Sequence, residues 1–367
     1  MYSFATEPYA HQLTAFKRSY QSEYSALFME MGTGKSKVIV DTMGALFESK
    51  DITHALIIAP KGVFDNWVQG EIPRHLPDRI KRFVVRWQPN FTQKYKQQLL
   101  DVAVPARRDK DTLNVLVMNV EALSTQKGAG AAMRFLDLNP KSLMVVDEST
   151  TIKNRTARRT KVIMKCGERA KYRRILTGSP VTKSPMDLYT QCYFLSPQAL
   201  GFKSYFAFQA RYAVTKRRTM GQKIFNEIVS FQRLDELSKK LDRFSLRVLK
   251  ADCLDLPEKV YIRRKVEMTP EQKKLYGQMK DVALAKLDNG KLATTVNVLT
   301  QIMRLQQIAC GHFQPDDDEP IEPIPNNRLN ELLSICEETS GKAIIWATWT
   351  HDIIAIERAL AKAYGSQ

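Results

Sequence analysis

The sequence contains few cysteines, and none of them is spaced for metal binding. There are five in 367 residues, and no two stand in a Cys-x-x-Cys pair. A zinc-ribbon site and a disulfide framework are therefore both disfavoured. Thiols that stay reduced fit a cytosolic protein best.

Long apolar runs are missing as well. The N-terminus lacks the basic stretch followed by an apolar stretch that marks a secretory signal, and no apolar run reaches membrane-spanning length. Internal repeats are also not visible. With 44% apolar residues, the chain is predicted to be globular, with room for two or three domains.

The sequence contains fewer acidic than basic residues. Lysine and arginine number 56 against 39 aspartates and glutamates, which gives a formal net charge of +17. A surplus of this size predicts a polyanionic partner, most simply nucleic acid. A merely soluble basic surface has the same composition, so charge alone leaves both interpretations open.

One glycine-containing stretch has the pattern of a phosphate-binding loop. Residues 26–29 predict a buried strand, the turn 30–36 (Glu-Met-Gly-Thr-Gly-Lys-Ser) follows, and apolar residues then recur at helical spacing. Glycines let backbone N–H groups face an anion, and the helix N-terminus adds partial positive charge. In this pattern Lys35 neutralises the β and γ phosphates and the Ser36 hydroxyl binds Mg²⁺. Met29 replaces the usual first glycine, so an ordinary turn carrying Lys-Ser is the alternative.

Polar residues follow two later strands at the points where these strands end. The apolar segment 142–147 ends in Asp147-Glu148, and the segment 172–177 runs into Gly178-Ser179. One carboxylate can hold Mg²⁺ while the other orients and deprotonates an attacking water. Strands separated by helical stretches indicate a parallel α/β sheet with right-handed crossovers.

Other residues predict contacts with nucleic acid. Lys61 follows the strand at 54–60, and Asn119 lies at the end of the strand at 114–119. Ten basic residues and a single acid occupy positions 153–174, a bias that favours phosphate contact over a solvated helix of mixed sign. Trp67 is a further candidate, although packing is the more common role of such a tryptophan.

These motifs, in this order, resemble those of the SNF2-like branch of superfamily 2 helicases. The resemblance extends along the whole chain. The matching segments are Gln12 (glutamine motif), 30–36 (motif I), 58–61 with 66–67 (motif Ia), 115–123 (motif Ib), 146–154 (motif II), 176–180 (motif III), 246–250 with 256–259 (the exit from the first lobe), 269–276 and 304–312 (the bridge between lobes) and 342–350 (motif IV).

The resemblance implies an ATP-dependent DNA translocase or helicase-like motor that uses ATP and Mg²⁺ on duplex or branched DNA. It implies a RecA-like P-loop parallel sheet flanked by helices, a helical insertion and an incomplete second RecA-like lobe. The implied residues are Lys35, Asp147 and Glu148 for catalysis; Gln12, Met31, Gly32, Thr33, Gly34, Lys35 and Ser36 for nucleotide; Ser36 and Asp147 for metal; Thr177, Gly178 and Ser179 for coupling; and Lys61, Trp67, Asn119, Lys153 and Arg155 for DNA.

Two features depart from the family pattern. Ser149-Thr150 replaces the histidine-containing end of motif II, which resembles phage or bacterial members and implies the cytoplasm of a bacterium or a phage-infected cell. A hydroxyl must then perform the coupling of the missing histidine. Motifs V and VI have no counterpart, which predicts a fragment or a chain lacking most of its second lobe. An arginine of that lobe is worth about 10³–10⁵ in rate, so little DNA-stimulated turnover is expected from residues 1–367.

The expected domains are residues 1–195 (first lobe), 196–313 (helical protrusion and brace), 314–327 (acidic, proline-rich linker) and 328–367 (start of the second lobe). Within the last, helices are predicted at 328–338 and 352–363, with a strand at 343–346. A nucleotide-switched DNA-binding protein without motor activity is the alternative function. ATP turnover that rises with DNA separates the two, and motifs Ia, II and III disfavour a small-molecule enzyme.

Overall fold

The computed structural model describes residues 2–104, 111–221, 223–288, 295–314 and 320–365. The chain divides into two compact units, Met1–Pro257 and Glu258–Gln367, and each is described by itself. The first unit therefore extends well past the boundary predicted at residue 195. The reason is a strand near its end, which joins the central sheet.

The first unit is built on a seven-stranded sheet in which every pair of neighbours is parallel. Its order is β3-β4-β2-β5-β6-β1-β9, which confirms the predicted RecA-like α/β fold. The strands are β1 (Tyr24–Met29), β2 (His54–Ala59), β3 (Lys81–Arg86), β4 (Thr112–Asn119), β5 (Ser142–Asp147), β6 (Tyr172–Leu176), β7 (Ala213–Met220), β8 (Lys223–Phe231) and β9 (Ser245–Val248), of which β7 and β8 form a separate hairpin.

The sheet is buried on both faces, as its continuous apolar strands require. In β2, Leu56 and Ile58 pack in one apolar cluster, whereas Ala55 and Ile57 pack in another on the opposite face. This alternation follows from the two-residue period of a strand. The second cluster also contains Trp67. Apolar side chains therefore pack against both faces of the sheet.

Helices cover both faces of this sheet. They are α1 (Ala10–Ser19), α2 (Lys35–Glu48), α3 (Phe64–Asn66), α4 (Ile72–His75), α5 (Gln93–Ala103), α6 (Gln126–Leu138), α7 (Arg158–Gly167), α8 (Asp187–Leu195), α9 (Tyr205–Tyr212), α10 (Leu234–Leu241) and α11 (Lys250–Cys253). A π-helical segment, Trp67–Glu71, joins α3 to α4. Among the helices of the described ranges, none is both long enough and apolar enough to cross a membrane.

The region after residue 196, predicted as a helical protrusion and brace, contains three strands in addition to its helices. β7 and β8 form an antiparallel hairpin, and Gly221 at the turn has a φ of +60°. β9 pairs with β1, with Ala26 opposite Ser245. Helical periodicity could not reveal these pairings, because each strand depends on a partner that lies elsewhere in the chain.

The second unit is mainly helical. Its elements are α12 (Pro270–Asp288), α13 (Thr295–Cys310), β10 (His312–Phe313), β11 (Glu322–Pro323), α14 (Arg328–Glu338) and α15 (Thr350–Tyr364). α14 and α15 lie where helices were predicted. The predicted strand at 343–346 is wrong, since this segment has no strand conformation and Ile344 and Trp346 are 81% and 89% exposed. Residues 315–319 of the predicted linker lie outside the described residues.

Candidate nucleotide site

Two glycines shape the loop between β1 and α2. Gly32 and Gly34 have φ values of +82° and +84°, a region that disfavours residues with a side chain. A Cβ on Gly34 would lie 2.2 Å from the Gln12 Nε2 atom, so the loop passes directly over this amide. Gly34 is also the residue before α2, which places the N-terminus of that helix and the hydroxyl of Ser36 beside the loop.

The side chain of Gln12 stabilises the loop by hydrogen bonding to its backbone. Its Nε2 donates a hydrogen bond to the Thr33 carbonyl at 3.2 Å, and its Oε1 accepts one from the Tyr9 backbone N–H at 3.1 Å. The side chain is only 5% exposed. A carboxamide has two donors and two acceptor positions, so one of each remains at Gln12. Contact with adenine stays a prediction for this residue.

Lys35 lies in the first turn of α2 and points back into the loop. Its ammonium donates to the carbonyls of Met29 at 2.9 Å and Glu30 at 3.1 Å, which are neutral acceptors. Burial lowers the pKa of Lys35, and the negative charges of Asp147 and Glu148 partly oppose that effect. The lysine and the carboxylate pair predicted from sequence therefore lie close enough to interact electrostatically.

Asp147 ends β5 as a buried carboxylate with two local donors. Its Oδ2 accepts from Trp67 Nε1 at 2.9 Å, and its Oδ1 accepts from the Glu148 backbone N–H at the same distance. Burial raises the pKa of Asp147 despite these bonds, because the charged form loses its hydration. A bound cation would offset that cost. The predicted DNA contact of Trp67 is wrong, since this side chain has no exposed surface and instead orients Asp147.

Glu148 has a strained backbone and a well-held carboxylate. Its φ of +47° lies in the left-handed region, which costs energy for a residue with a side chain and recurs at functional sites. Its Oε1 accepts hydrogen bonds from the Thr177 hydroxyl at 2.6 Å and the Thr150 hydroxyl at 3.0 Å. Its Oε2 makes no hydrogen bond to the part of the chain that the structure describes. Thr177, predicted to couple motifs, thus touches the predicted base directly.

A second connection between the ends of β5 and β6 starts at Ser149. Its buried hydroxyl donates to Gln191 Oε1 at 2.6 Å, and Gln191 Nε2 donates to the Pro180 carbonyl at 2.8 Å. The hydroxyl that replaces the usual histidine therefore reaches the segment after β6 through one amide. Sequence reasoning missed Gln191, although an amide between the apolar residues of α8 was a visible signal.

The backbone after β6 packs against the phosphate loop. A Cβ on Gly178 would lie 3.3 Å from the Met31 backbone nitrogen. The Gly178 carbonyl accepts a hydrogen bond from Arg247 Nη1 at 3.1 Å. Ser179 is exposed, and its backbone N–H donates to the Thr177 hydroxyl at 3.1 Å. A change in the conformation of the phosphate loop would therefore displace the segment after β6. Through the bond between Gly178 and Arg247, it would also affect β9.

Lys250 is a second lysine near the phosphate loop that sequence reasoning did not single out. Its backbone N–H donates to Glu30 Oε2 at 2.7 Å. A Cβ on Gly32 would lie 3.5 Å from Lys250 Cε and 3.7 Å from Lys250 Nζ. Its charge also contributes to lowering the pKa of Lys35. Two lysines from opposite ends of the first unit thus reach one loop, an arrangement that depends on β9 pairing with β1.

The predicted DNA-contacting residues other than Trp67 follow the carboxyl ends of β2, β4 and β5. Lys61 is exposed, whereas Asn119 is half-buried and donates to Glu121 Oε2 at 2.9 Å. Lys153 donates to the Thr182 hydroxyl. The exposed Arg155 guanidinium carbon lies 4.9 and 5.1 Å from the ring centroids of Tyr205 and Phe206, respectively. Carboxyl ends of parallel strands share one edge, where ligands bind in such sheets.

Part of the basic run at 153–174 serves the fold. Arg174 is fully buried, and its guanidinium donates to backbone carbonyls that include Ser19 and Ser22. Arg169 and Lys171 form ion pairs with Asp137 and Asp51. The prediction that the whole run contacts phosphate is therefore wrong for Arg174, because a linear sequence does not distinguish internal from exposed cations, whereas Arg169 and Lys171 have acidic partners within the fold.

A glycine-containing loop at a helix N-terminus, with a carboxylate pair at the end of a nearby parallel strand, is the arrangement of a P-loop fold and makes this edge of the sheet a candidate nucleotide site. The chain belongs to the SNF2-related domain family, whose model matches residues 11–314. This confirms the resemblance seen in the motifs.

Curated relatives of this family come from bacteria, phage and eukaryotes. An uncharacterised ATP-dependent helicase, MG018, of Mycoplasma genitalium is 26% identical over 335 residues, which cover 89% of this chain and 28% of the relative. A putative protein p41 of an Acyrthosiphon pisum secondary endosymbiont phage is 25% identical over 62% of this chain and 50% of its own length. The chain thus spans half or less of these relatives.

A solved structure supports the fold. The Sulfolobus solfataricus SWI2/SNF2 ATPase core in complex with dsDNA matches with a TM-score of 0.54 and 20% identity. The match covers all of this chain and 72% of the other. At this identity the match establishes a shared fold.

Proposed function

We propose that this protein binds ATP with Mg²⁺, hydrolyses it in response to DNA and uses the cycle to move along duplex DNA. The observation that carries the proposal is the hydrogen bond between Thr177 and Glu148, beside Asp147 and within electrostatic reach of Lys35. It connects a candidate base for hydrolysis to the strand end that contacts the phosphate loop. Relatives named as ATP-dependent helicases support the proposal.

Each residue has a distinct role in this reaction. Lys35 leaves its carbonyl partners and neutralises the terminal phosphates, while loop N–H groups bind the phosphate oxygens. Glu148 orients a water for attack on the γ-phosphorus and accepts its proton. The Ser36 hydroxyl and the Asp147 carboxylate are oxygen donors of the kind that Mg²⁺ prefers. When bound, Mg²⁺ neutralises charge that develops on the phosphates.

The hydroxyl contacts offer a route from nucleotide to DNA. Thr177 and Ser149 join the end of β5 to the segment after β6, and Lys153 and Arg155 follow β5 directly. Loss of the γ-phosphate would release Glu148 and allow this edge to rearrange. We propose that such a change alters how tightly Arg155 and Lys61 bind DNA phosphates.

Steady-state ATP hydrolysis with and without duplex DNA, in a protein that contains these residues together with motifs V and VI, tests this function. Turnover that rises on addition of DNA supports the motor. Nucleotide binding that changes DNA affinity, without any stimulated turnover, would instead indicate the nucleotide-switched binding protein. Strand-displacement and translocation assays then separate movement along DNA from hydrolysis alone.

DNA affinity is expected to fall steeply as salt rises and to depend little on base sequence. Each phosphate contact contributes a slope of about −0.9 in a plot of log K against log salt for duplex DNA. Arg155→Ala and Lys61→Ala should each weaken DNA binding and reduce the magnitude of the slope by about 0.9, the contribution of one phosphate contact. Fluorescence anisotropy over a salt series measures both quantities. Lys171→Ala, which removes a cation paired with Asp51, is the matched control, and a strong preference for one sequence would contradict the model.

Replacement of Lys250 by methionine is expected to weaken ATP binding on the order of tenfold or more. This estimate takes a charge-assisted hydrogen bond as worth about 1.5–3 kcal/mol. Methionine keeps much of the apolar stem and removes the charge that lies over Gly32. Titration with a fluorescent ATP analogue measures the change, and Lys239→Met, at an exposed position of α10, is the control. Equal affinities for Lys250→Met and wild type would remove Lys250 from the site.

A further inference from the structure

The second unit brings three metal-binding side chains together at a place that the nucleotide site does not use. A ligand atom from each of His312, His351 and Asp352 lies within 4.8 Å of the other two. His312 Nδ1 is 3.1 Å from Asp352 Oδ1, and the two imidazole centroids are 4.8 Å apart. Two imidazole side chains and one carboxylate thus lie close together in one part of the second unit.

His312 is the anchor of this cluster, and one of its ring nitrogens lacks a well-directed partner. The side chain is 2% exposed. Its Nδ1 lies close to the Asp352 carboxylate, yet the geometry is not that of a hydrogen bond, so this atom is buried without one among the described residues. A hydrogen bond weakens steeply when its donor is misdirected, so the short distance to Asp352 alone does not satisfy this nitrogen. A buried nitrogen in this state is costly unless another species binds it.

The backbone on the His312 side is fixed. β10 pairs with β11, with His312 opposite Pro323, and the Ile324 N–H donates to the Gly311 carbonyl at 2.8 Å. Gly311 has a φ of +94°, and a Cβ there would lie 2.0 Å from Asn326 Nδ2. The backbone that presents His312 therefore tolerates little change.

The other two side chains come from a different segment. His351 and Asp352 lie in the first turn of α15 and are only partly buried. Their position in a helical turn fixes the backbone but leaves the side chains room to rotate. His312 is held in place, whereas His351 and Asp352 can rotate, so the three side chains can adjust to the geometry of a bound ion.

We propose that His312, His351 and Asp352 form a site for one divalent transition-metal ion, with zinc as the best fit. Imidazole nitrogens suit zinc and related metals, whereas Mg²⁺ and Ca²⁺ prefer oxygen ligands. Three protein ligands leave a fourth tetrahedral position for water. The site lies within the second unit and does not depend on the proposed function.

The distances allow this assignment with a small adjustment. Two ligands at 2.0–2.1 Å from zinc in tetrahedral geometry are about 3.4 Å apart. The His312–Asp352 pair is already near this separation, at 3.1 Å. His351 must move inward by rotating its side chain, which its partial exposure permits. The ion then joins β10 to the start of α15 and stabilises the second unit, because it binds only the folded arrangement.

Metal titration of the whole chain tests the site. After treatment with a chelator, the protein should bind one Zn²⁺ or Co²⁺ in excess Mg²⁺, and binding should raise the melting temperature. His351→Ala and Asp352→Asn should each lower the affinity by tenfold or more and remove the thermal shift. His75→Gln is the control, because His75 belongs to the first unit and contacts Thr6. Far-ultraviolet circular dichroism establishes that each variant is folded.

The absorption spectrum of bound Co²⁺ identifies the ligand atoms. A site of two imidazoles and one carboxylate should lack a thiolate charge-transfer band. Such a band, lost in Cys310→Ser, would overturn the three-ligand assignment in favour of a thiolate site at a residue whose Sγ contacts Arg328. Equal affinity in His351→Ala and wild type, or the absence of binding in excess Mg²⁺, would overturn the site altogether.

Discussion

Glu148→Gln is expected to keep ATP and Mg²⁺ bound while hydrolysis slows by a factor of about 10²–10⁴. Glutamine has nearly the same shape and can still accept hydrogen bonds from Thr177 and Thr150 through its amide oxygen. It cannot take a proton from the attacking water. The loss should therefore appear in kcat, with little change in nucleotide affinity.

The measurement is steady-state ATP turnover in the presence of DNA by a protein that contains these residues together with motifs V and VI, combined with binding of a fluorescent ATP analogue. Glu168→Gln, an exposed glutamate at the end of α7, is the matched control and should behave as wild type. Thr177→Val should give a smaller loss, because it removes a hydrogen bond to Glu148 but leaves the carboxylate. Turnover at the wild-type rate in Glu148→Gln would place the base elsewhere.

Lys35→Ala is expected to weaken ATP binding by tenfold or more and to abolish detectable hydrolysis. The Lys35 ammonium donates to two carbonyls of the loop, those of Met29 and Glu30. A charge-assisted hydrogen bond is worth about 1.5–3 kcal/mol, and Lys35 is placed for more than one with a triphosphate. The variant removes both the bonds and the charge.

Equilibrium titration with the ATP analogue and the hydrolysis assay test this variant together. Lys141→Ala, at an exposed position before β5, controls for loss of a positive charge from the surface. DNA binding in the absence of nucleotide should persist in Lys35→Ala, since the DNA contacts proposed here lie elsewhere. Unchanged nucleotide affinity would reject the phosphate-loop assignment.

Local patterns predicted most of the nucleotide site. The segment 30–36 requires glycines at two left-handed positions, and its lysine and serine open a helix, so a short stretch of sequence carries the whole signal. Asp147 and Glu148 were recognisable because an apolar strand precedes them directly. Even the hydroxyl that replaces the family's histidine was predicted, although its partner Gln191 was not.

The errors share one physical cause. Trp67 and Arg174 were candidates for external contacts, but both are buried, and each donates hydrogen bonds to groups far away in the sequence. The strands β7 to β9 and the absence of a strand at 343–346 depend on whether a neighbouring strand is available. Whether one particular tryptophan or arginine is buried, and which strands pair, is decided by the folded chain and leaves no local pattern.

Sequence alone was enough to establish the family and the P-loop fold class, and it predicted Lys35, Asp147 and Glu148 as the candidate catalytic centre. These depend on backbone conformations and residue types that act within a few positions of each other. The folded chain was needed to bring Lys250 over the phosphate loop and to gather His312, His351 and Asp352 at one point. Such groups come from segments whose separation in sequence carries no information about distance, because β-strand pairing and helix packing alone determine which segments meet.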